Sequence, residues 1–281
     1  MTDGFVPADD GLPVSEVGAW TRDKHVLLRR YVGISAGVRA GFIGPGKAGA
    51  TYIDLFCGPG YCRVRDGDEV LPGSALVAAL AAAERKRPFS AIHIGDADPR
   101  FPEATRRRLL AGGITSPVRT YSGNAADVAR QVARNLNPHA LHLVFLDPFS
   151  LGALSMPIIE AFAPFKRVDL LMHVSAMDLQ RNLEQAIASD ESHQFDSFAP
   201  GWRDHVDQKA PAHTVRRRII EYWIGRVQAL GFSVFEGDQF ELVRGSKNQP
   251  LYWLALAAKN EKASEFWDKI RHVDPQQGLG F

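Results

Sequence analysis

Cysteine is scarce in this chain: Cys57 and Cys62 are the only two among 281 residues. Two neighbouring thiols build neither the framework of a disulfide-rich secreted domain nor a four-ligand zinc site. A reducing cytoplasm is therefore the expected compartment. An excess of one charge is also missing, since 33 Lys and Arg stand against 32 Asp and Glu for a formal net charge of +1. That balance excludes a molecule that grips nucleic acid through its overall charge and leaves only local basic patches. Arg106, Arg107 and Arg108, or Arg216, Arg217 and Arg218, are candidates for holding phosphates, although such runs on helices are usually solvated faces. No apolar run reaches the roughly 20 residues of a transmembrane helix, so no membrane partner is expected. The opening MTDGFVPADDG is acidic and rich in Gly and Pro, unlike a signal peptide, and residues 1–20 read as a flexible leader. Neither HExxH nor HxxxH occurs, so no metal is expected and the nine histidines read as structural or surface residues. His93, in a buried strand, reads as a satisfied core residue. His25, beside Lys24, is the exception to watch.

What is present is enough apolar material, 45% of the chain, to bury one large core. The spacing of Val26, Leu27, Tyr31, Ile34 and Val38 predicts an amino-terminal helix over 21–42, broken by GPGKAGA. From Thr51 short apolar runs alternate with helical stretches. TYIDLF, FSAIHIGD, VRTYSG, ALHLVFLD and VDLLMHVS read as five buried strands separated by four helices, the signature of a parallel sheet with right-handed crossovers. Residues 176–213 are polar and mixed and read as an insertion. A helix over 214–230 ends at Gly231, FSVFEG reads as strand, and DQFELVRG with PLYWLALAAKN reads as a carboxyl-terminal antiparallel hairpin before a last helix from Ala263 to about Ile270. The expectation is a single α/β domain over 21–281, mostly parallel, with helices on both faces of the sheet.

Two segments carry the chemistry. In Asp54-Leu55-Phe56-Cys57-Gly58-Pro59-Gly60 an apolar strand runs into a carboxylate and two glycines, where an α/β sheet binds ligands and where glycine lets backbone approach them. Phe56 replaces the first glycine of a dinucleotide fingerprint, so a ligand without phosphates fits better. Asp96 ends the next strand, placed to accept from ribose hydroxyls, and Asn124 follows the third, placed beside an adenine edge. Each also has a plain reading, as a helix-terminal acid and an N-cap. The second segment is LVFLDPF, in which an apolar strand ends in Asp147-Pro148-Phe149: a carboxylate to hold an amine, a proline to fix the turn and a ring to stack.

DLFCGPG, HIGDAD, Gly73-Ser74 and LVFLDPF, taken in order, resemble the methyltransferase-type family of three-Cys-motif partner proteins. The resemblance covers nearly the whole chain, with Lys24-His25, Leu28 and Tyr31 similar to that family's amino-terminal helix and LYWLALAAKN with FWDKI similar to its carboxyl-terminal end. It implies a Rossmann-like class I methyltransferase fold with S-adenosyl-L-methionine as cofactor, Asp54, Phe56, Gly58 and Gly60 at its methionine end, Asp96 at its ribose and Asn124 near its adenine. It further implies Lys24, His25, Tyr31 and Ser74 on the substrate side and a partner protein bearing three clustered cysteines. Gly123-Asn124 and Ser150 depart from the family's usual Gly-Asp and DPFG. Asp-Pro-Phe also resembles a shortened DPPY tetrapeptide of nucleobase amino-methyltransferases, while the Pro-Cys of cytosine C5 methyltransferases is missing. The expected activity is therefore N-methylation of a nucleobase or other planar amine, with Asp147, Pro148 and Phe149 catalytic and nucleic acid as a partner. The rival expectations are a small-molecule or protein methyltransferase with the insertion as a lid, and a non-catalytic partner subunit of the three-cysteine protein.

Overall fold

A computed structural model describes residues 8–65, 69–189, 194–234, 241–244 and 250–271. The described chain begins with β1 (Ser15–Val17), α1 (Thr21–Ile34) and α2 (Ala36–Ala40). The helix expected over 21–42 is thus interrupted at Ser35, whose side chain donates back to the Val32 carbonyl at 3.3 Å and so competes with the helical ladder. Next come β2 (Ala50–Asp54), β3 (Tyr61–Val64), β4 (Val70–Pro72), α3 (Ser74–Glu84), β5 (Ala91–Asp96), α4 (Arg100–Ala111), β6 (Val118–Ser122), α5 (Ala125–Asn135) and β7 (Leu141–Leu146). A single 3-10 turn, Leu151–Ala153, leads into α6 (Met156–Phe162) and β8 (Val168–Val174). The rest is α7 (Ala176–Ala188), α8 (Gln194–Phe198), α9 (Trp202–His205), α10 (Ala212–Ala229), β9 (Ser233–Val234), β10 (Glu241–Arg244), β11 (Pro250–Ala258) and α11 (Glu261–Arg271).

The main sheet runs β6-β5-β2-β7-β8-β11-β10, with β9 also paired to β11. The first five strands are parallel, and β11 returns antiparallel between β8 and β10. The expected hairpin is the β10–β11 pair, with residues 238–240 and 245–249 outside the described ones; the separate run FSVFEG supplies β9, and its residues 235–237 also lie outside. Because both faces are covered, neighbouring residues alternate between two cores. Tyr52, Leu143, Phe145 and Leu171 pack with α1, α3 and α11, whereas Ile53, Val144, Leu146 and Leu170 pack with α5, α6, α7 and α10. Each fully buried side chain of this kind contributes about 1.5–3 kcal/mol. β6 departs from the expected five buried strands: it is the sheet's edge, with Arg119 and Thr120 exposed.

Two expectations change in ways that shape the site. Part of the stretch read as a flexible leader is packed: Val14 is buried, and β1 joins β3 and β4 in a small second sheet beside the glycine loop, while residues 1–7 lie outside the described ones. The insertion is helical and contributes to the core, with Phe195, Phe198 and Trp202 fully buried; its residues 190–193 lie outside the described ones. Gly231 does sit in the left-handed region past α10, at φ 83°, where a helix ends readily on glycine.

Candidate functional site

The chain path from β2 proceeds outward to β5 and β6, and from β7 outward in the other direction to β8, so strand order reverses between β2 and β7. Ligands in such sheets bind outside the carboxyl ends at this switch point. A cleft of about 690 Å³ lies there, lined by Leu55, Phe56, Gly58, Asp96, Asn124, Asp147 and Phe149 among others. Its size is that of a small-molecule or cofactor site.

Asp54 is fully buried at the end of β2 and holds the loop that follows it. Its carboxylate accepts from Ser74 Oγ at 2.6 Å, from the Phe56 amide at 3.2 Å and from the Tyr52 hydroxyl at 3.2 Å. Burial pushes its pKa up to about 7, with nearby Asp147 adding and the three hydrogen bonds opposing. Ser74 and Asp54 therefore act on the loop from behind, and neither lines the cleft. Gly58 (φ 56°) and Gly60 (φ 93°) occupy the left-handed region, but for different reasons. A Cβ on Gly58 would meet only Ser15 Oγ at 3.8 Å, on the cleft side, whereas one on Gly60 would lie 2.9 Å from Thr105 Oγ1 and 3.0 Å from Thr105 Cα. Gly60 thus serves close packing on α4, and Gly58 faces the open space.

Asp96 closes the loop from β5: its Oδ2 accepts the Gly58 amide at 3.0 Å and its Oδ1 the Asp98 amide at 3.2 Å. A carboxylate has about four lone-pair sites, so each oxygen keeps capacity for a ligand hydroxyl. Burial raises its pKa. Asn124 is the N-cap of α5, its Oδ1 accepting the Ala126 amide at 2.9 Å. The plain reading of this residue is realised at its oxygen, while its amide hydrogens remain to donate into the cleft.

Asp147 follows β7 and is bound from α1: Lys24 Nζ lies 2.7 Å from Oδ1 and 2.6 Å from Oδ2. Burial pushes the Asp147 carboxyl up, but the charge and hydrogen bonds of Lys24, together with the charges of His173 and His25, outweigh it and hold the group below its ordinary value. Pro148 is buried, and Phe149 stands 92% exposed at the cleft. His25 is buried next to Lys24, and burial with the adjacent Lys24 charge lowers its pKa to about 4. Tyr31 is elsewhere: it donates to Asp169 at 2.9 Å, at the amino end of β8, because the helix carries it along the sheet away from the strand ends.

Several residues of the site were not singled out in the sequence. His173, at the carboxyl end of β8, brings Nδ1 to 3.6 Å from Asp147 Oδ1; a polar residue interrupting the apolar run VDLLMHV was the available signal. Thr105 donates to the Gly58 carbonyl at 2.8 Å. Arg108, a candidate for holding phosphate, is buried instead: it donates to Asp10 at 2.7 and 2.8 Å and to the carbonyls of Pro13 and Pro59, pinning the amino-terminal segment to the glycine loop. Arg106 and Arg107 pair with Glu103. His93 is satisfied by the Tyr121 hydroxyl at 2.9 Å, as a core histidine should be.

No protein-family model and no curated protein matches the chain. Solved structures do. Protein LPL1258 of Legionella pneumophila is similar over 90% of this chain and 91% of its own, at 8% identity and a TM-score of 0.50. An O-methyltransferase of Bacillus cereus, solved with S-adenosylhomocysteine, covers 89% of this chain and 86% of its own at 13% identity and a TM-score of 0.45. The O-methyltransferase TomG of Streptomyces achromogenes, solved with S-adenosylmethionine, covers 86% and 81% at 16% identity and a TM-score of 0.44. At such identities the likeness is one of fold. The Rossmann-like α/β architecture expected from the sequence, a mostly parallel sheet with an antiparallel carboxyl-terminal hairpin and helices on both faces, is the architecture of this chain.

Proposed function

We propose that this chain is an S-adenosylmethionine-dependent methyltransferase acting on an amino nitrogen of a nucleobase or another planar ring. One observation carries the reading: the exposed ring of Phe149 and the carboxylate of Asp147 open onto the same cleft as Gly58, Asp96 and Asn124. The cleft suits the cofactor, because the space before Gly58 is free and Asp96 keeps acceptor capacity for ribose hydroxyls. When bound there, the sulfonium supplies an electrophilic methyl group. Gly58 would let the backbone approach the cofactor, Asp96 would accept from its ribose, and the Asn124 amide would donate to its adenine. Asp147 would accept an N–H of the incoming amine and Phe149 would stack on its ring, so orientation and exclusion of water provide the acceleration.

The proposal extends to the resemblance of the motifs to the three-Cys-motif partner proteins, with a three-cysteine protein as companion and the cytoplasm as compartment. Among the described residues no helix is long and apolar enough to cross a membrane. Co-purification with a protein bearing three clustered cysteines tests that part. The activity is tested by calorimetry with S-adenosylmethionine, followed by transfer of labelled methyl to single-stranded oligonucleotides and to free nucleobases. Phe149→Leu is expected to lower transfer and Phe149→Tyr to keep most of it, and absence of cofactor binding by the intact chain sinks the proposal.

A further inference from the structure

We propose that Lys24 is a positioning residue for Asp147 and not itself a substrate ligand: its buried amino group fixes the rotamer of the carboxylate and keeps that group an obligate hydrogen-bond acceptor. The consequence for the acceptor amine rests on the reading above. The charge assignment does not.

The geometry is that of a built pair. Lys24 is only 7% exposed, and lysine is almost never buried without a partner. Its Nζ bridges both Asp147 oxygens within 2.7 Å, which fixes the plane of the carboxylate. Bringing two charges out of water costs about as much as their attraction returns, so a buried pair is weak evidence for stability; the pair calls for a role. Lys24 uses one lone pair on each oxygen of a group that has about four, and Asp147 still lines the cleft. The remaining lone pairs are available to an N–H donor.

Every element around Asp147 presents a group that bears on its charge. α1 brings Lys24 and His25, β8 brings His173, β2 brings Tyr52 and Asp54, β3 brings Cys62, and β11 places the Tyr252 ring under Lys24 Nζ at 5.6 Å and against His173 at 4.4 Å. Lys24 is the dominant cation among them. His173 Nδ1 has no hydrogen-bond partner among the described residues, and burial with the Lys24 charge lowers its pKa to about 4. The charge of Asp147 is felt by Asp54, whose pKa it helps to raise to about 7, so Asp54 is neutral where Asp147 titrates. Without Lys24, burial favours a protonated Asp147, which would then present an O–H donor to the cleft.

The test is a carbon-13 NMR titration of aspartate carboxyl groups in the intact chain, with Asp147 assigned from the signal lost in Asp147→Asn. In the wild type Asp147 is expected to titrate below an ordinary aspartate. In Lys24→Met it should move up by about one to three pH units, the usual effect of removing an adjacent opposite charge, and Lys24→Arg should restore the low value. An Asp147 that titrates alike in wild type and Lys24→Met overturns the assignment, as does an Arg variant that behaves like Met. Should Lys24→Met fail to fold, the wild-type titration decides by itself: a carboxyl at or above the ordinary value overturns the proposal. Calorimetry with S-adenosylmethionine on the same wild-type sample separates the two readings. Its failure overturns the methyltransferase reading and leaves the Asp147 result to stand or fall on the titration.

Discussion

The Leu151 amide donates to Asp178 Oδ2 at 2.6 Å, tying the turn that follows Asp147 to the first part of α7. Asn182 also binds this carboxylate, and Ser197 Oγ donates to the Gly152 carbonyl at 3.0 Å. The turn bearing Phe149 is therefore held by the segment read as an insertion, which forms a docked wall of the cleft.

Asp178→Ala removes the acceptor of the Leu151 amide and should cost about 1–3 kcal/mol, the range for a hydrogen bond to a charged group or a buried donor left unmet. Urea unfolding gives the magnitude. Hydrogen exchange at Leu151 gives the location, and an amide that exchanges as slowly in Asp178→Ala as in the wild type would show that the bond does not restrain the turn.

The two loop glycines should respond differently. Gly60→Ala forces a Cβ against the Thr105 backbone in a left-handed conformation, with an expected loss of about 2 kcal/mol or more from strain and overpacking. Gly58→Ala meets only backbone strain, about 1–2 kcal/mol, yet its methyl enters the space before Ser15. Thermal unfolding should rank Gly60→Ala as less stable, while calorimetry with S-adenosylmethionine should show a loss of affinity in Gly58→Val. Unimpaired binding in Gly58→Val contradicts the placement of the cofactor.

Asp54 predicts a pH dependence of stability with an inverted sign for a carboxylate. Its folded pKa is raised to about 7 from 3.8, so below about pH 4 both states hold the proton and its full contribution is present. Between these values only the folded chain holds it, and stability falls as pH rises, by about 1.4 kcal/mol per pH unit. Above about pH 7 the loss is complete. The urea midpoint measured from pH 4.5 to 7.5 should therefore decline less steeply in Asp54→Asn, and parallel curves would exclude the raised pKa.

Asn124 separates capping from binding. Asn124→Ala should cost about 1 kcal/mol through loss of the α5 cap, and Asn124→Ser should recover that stability by replacing the cap oxygen. If the amide also donates to the adenine, Asn124→Ser stays weak in calorimetry with S-adenosylhomocysteine. Recovery of both properties by serine would leave Asn124 as a cap alone.

Local patterning in the sequence determined the order of elements. Short apolar runs such as Leu143–Leu146, too short for a helix and bounded by turn residues, read as strands buried on both faces, glycines beside Asp54 mark a loop needing unusual backbone, and a carboxylate ending an apolar strand at Asp147 marks chemistry. These signals lie within a few residues of each other, so they survive without knowledge of what packs where. The tertiary structure decided which distant residues meet. Lys24 reaches Asp147, Arg108 reaches Asp10, and Asp178 reaches Leu151, over separations that no periodicity records. The same limit explains why Tyr31 went to Asp169 and why the polar stretch after Ala176 became core. A side chain's partner is fixed by the direction in which its helix or strand crosses the sheet, and by the burial that makes an unpaired charge costly.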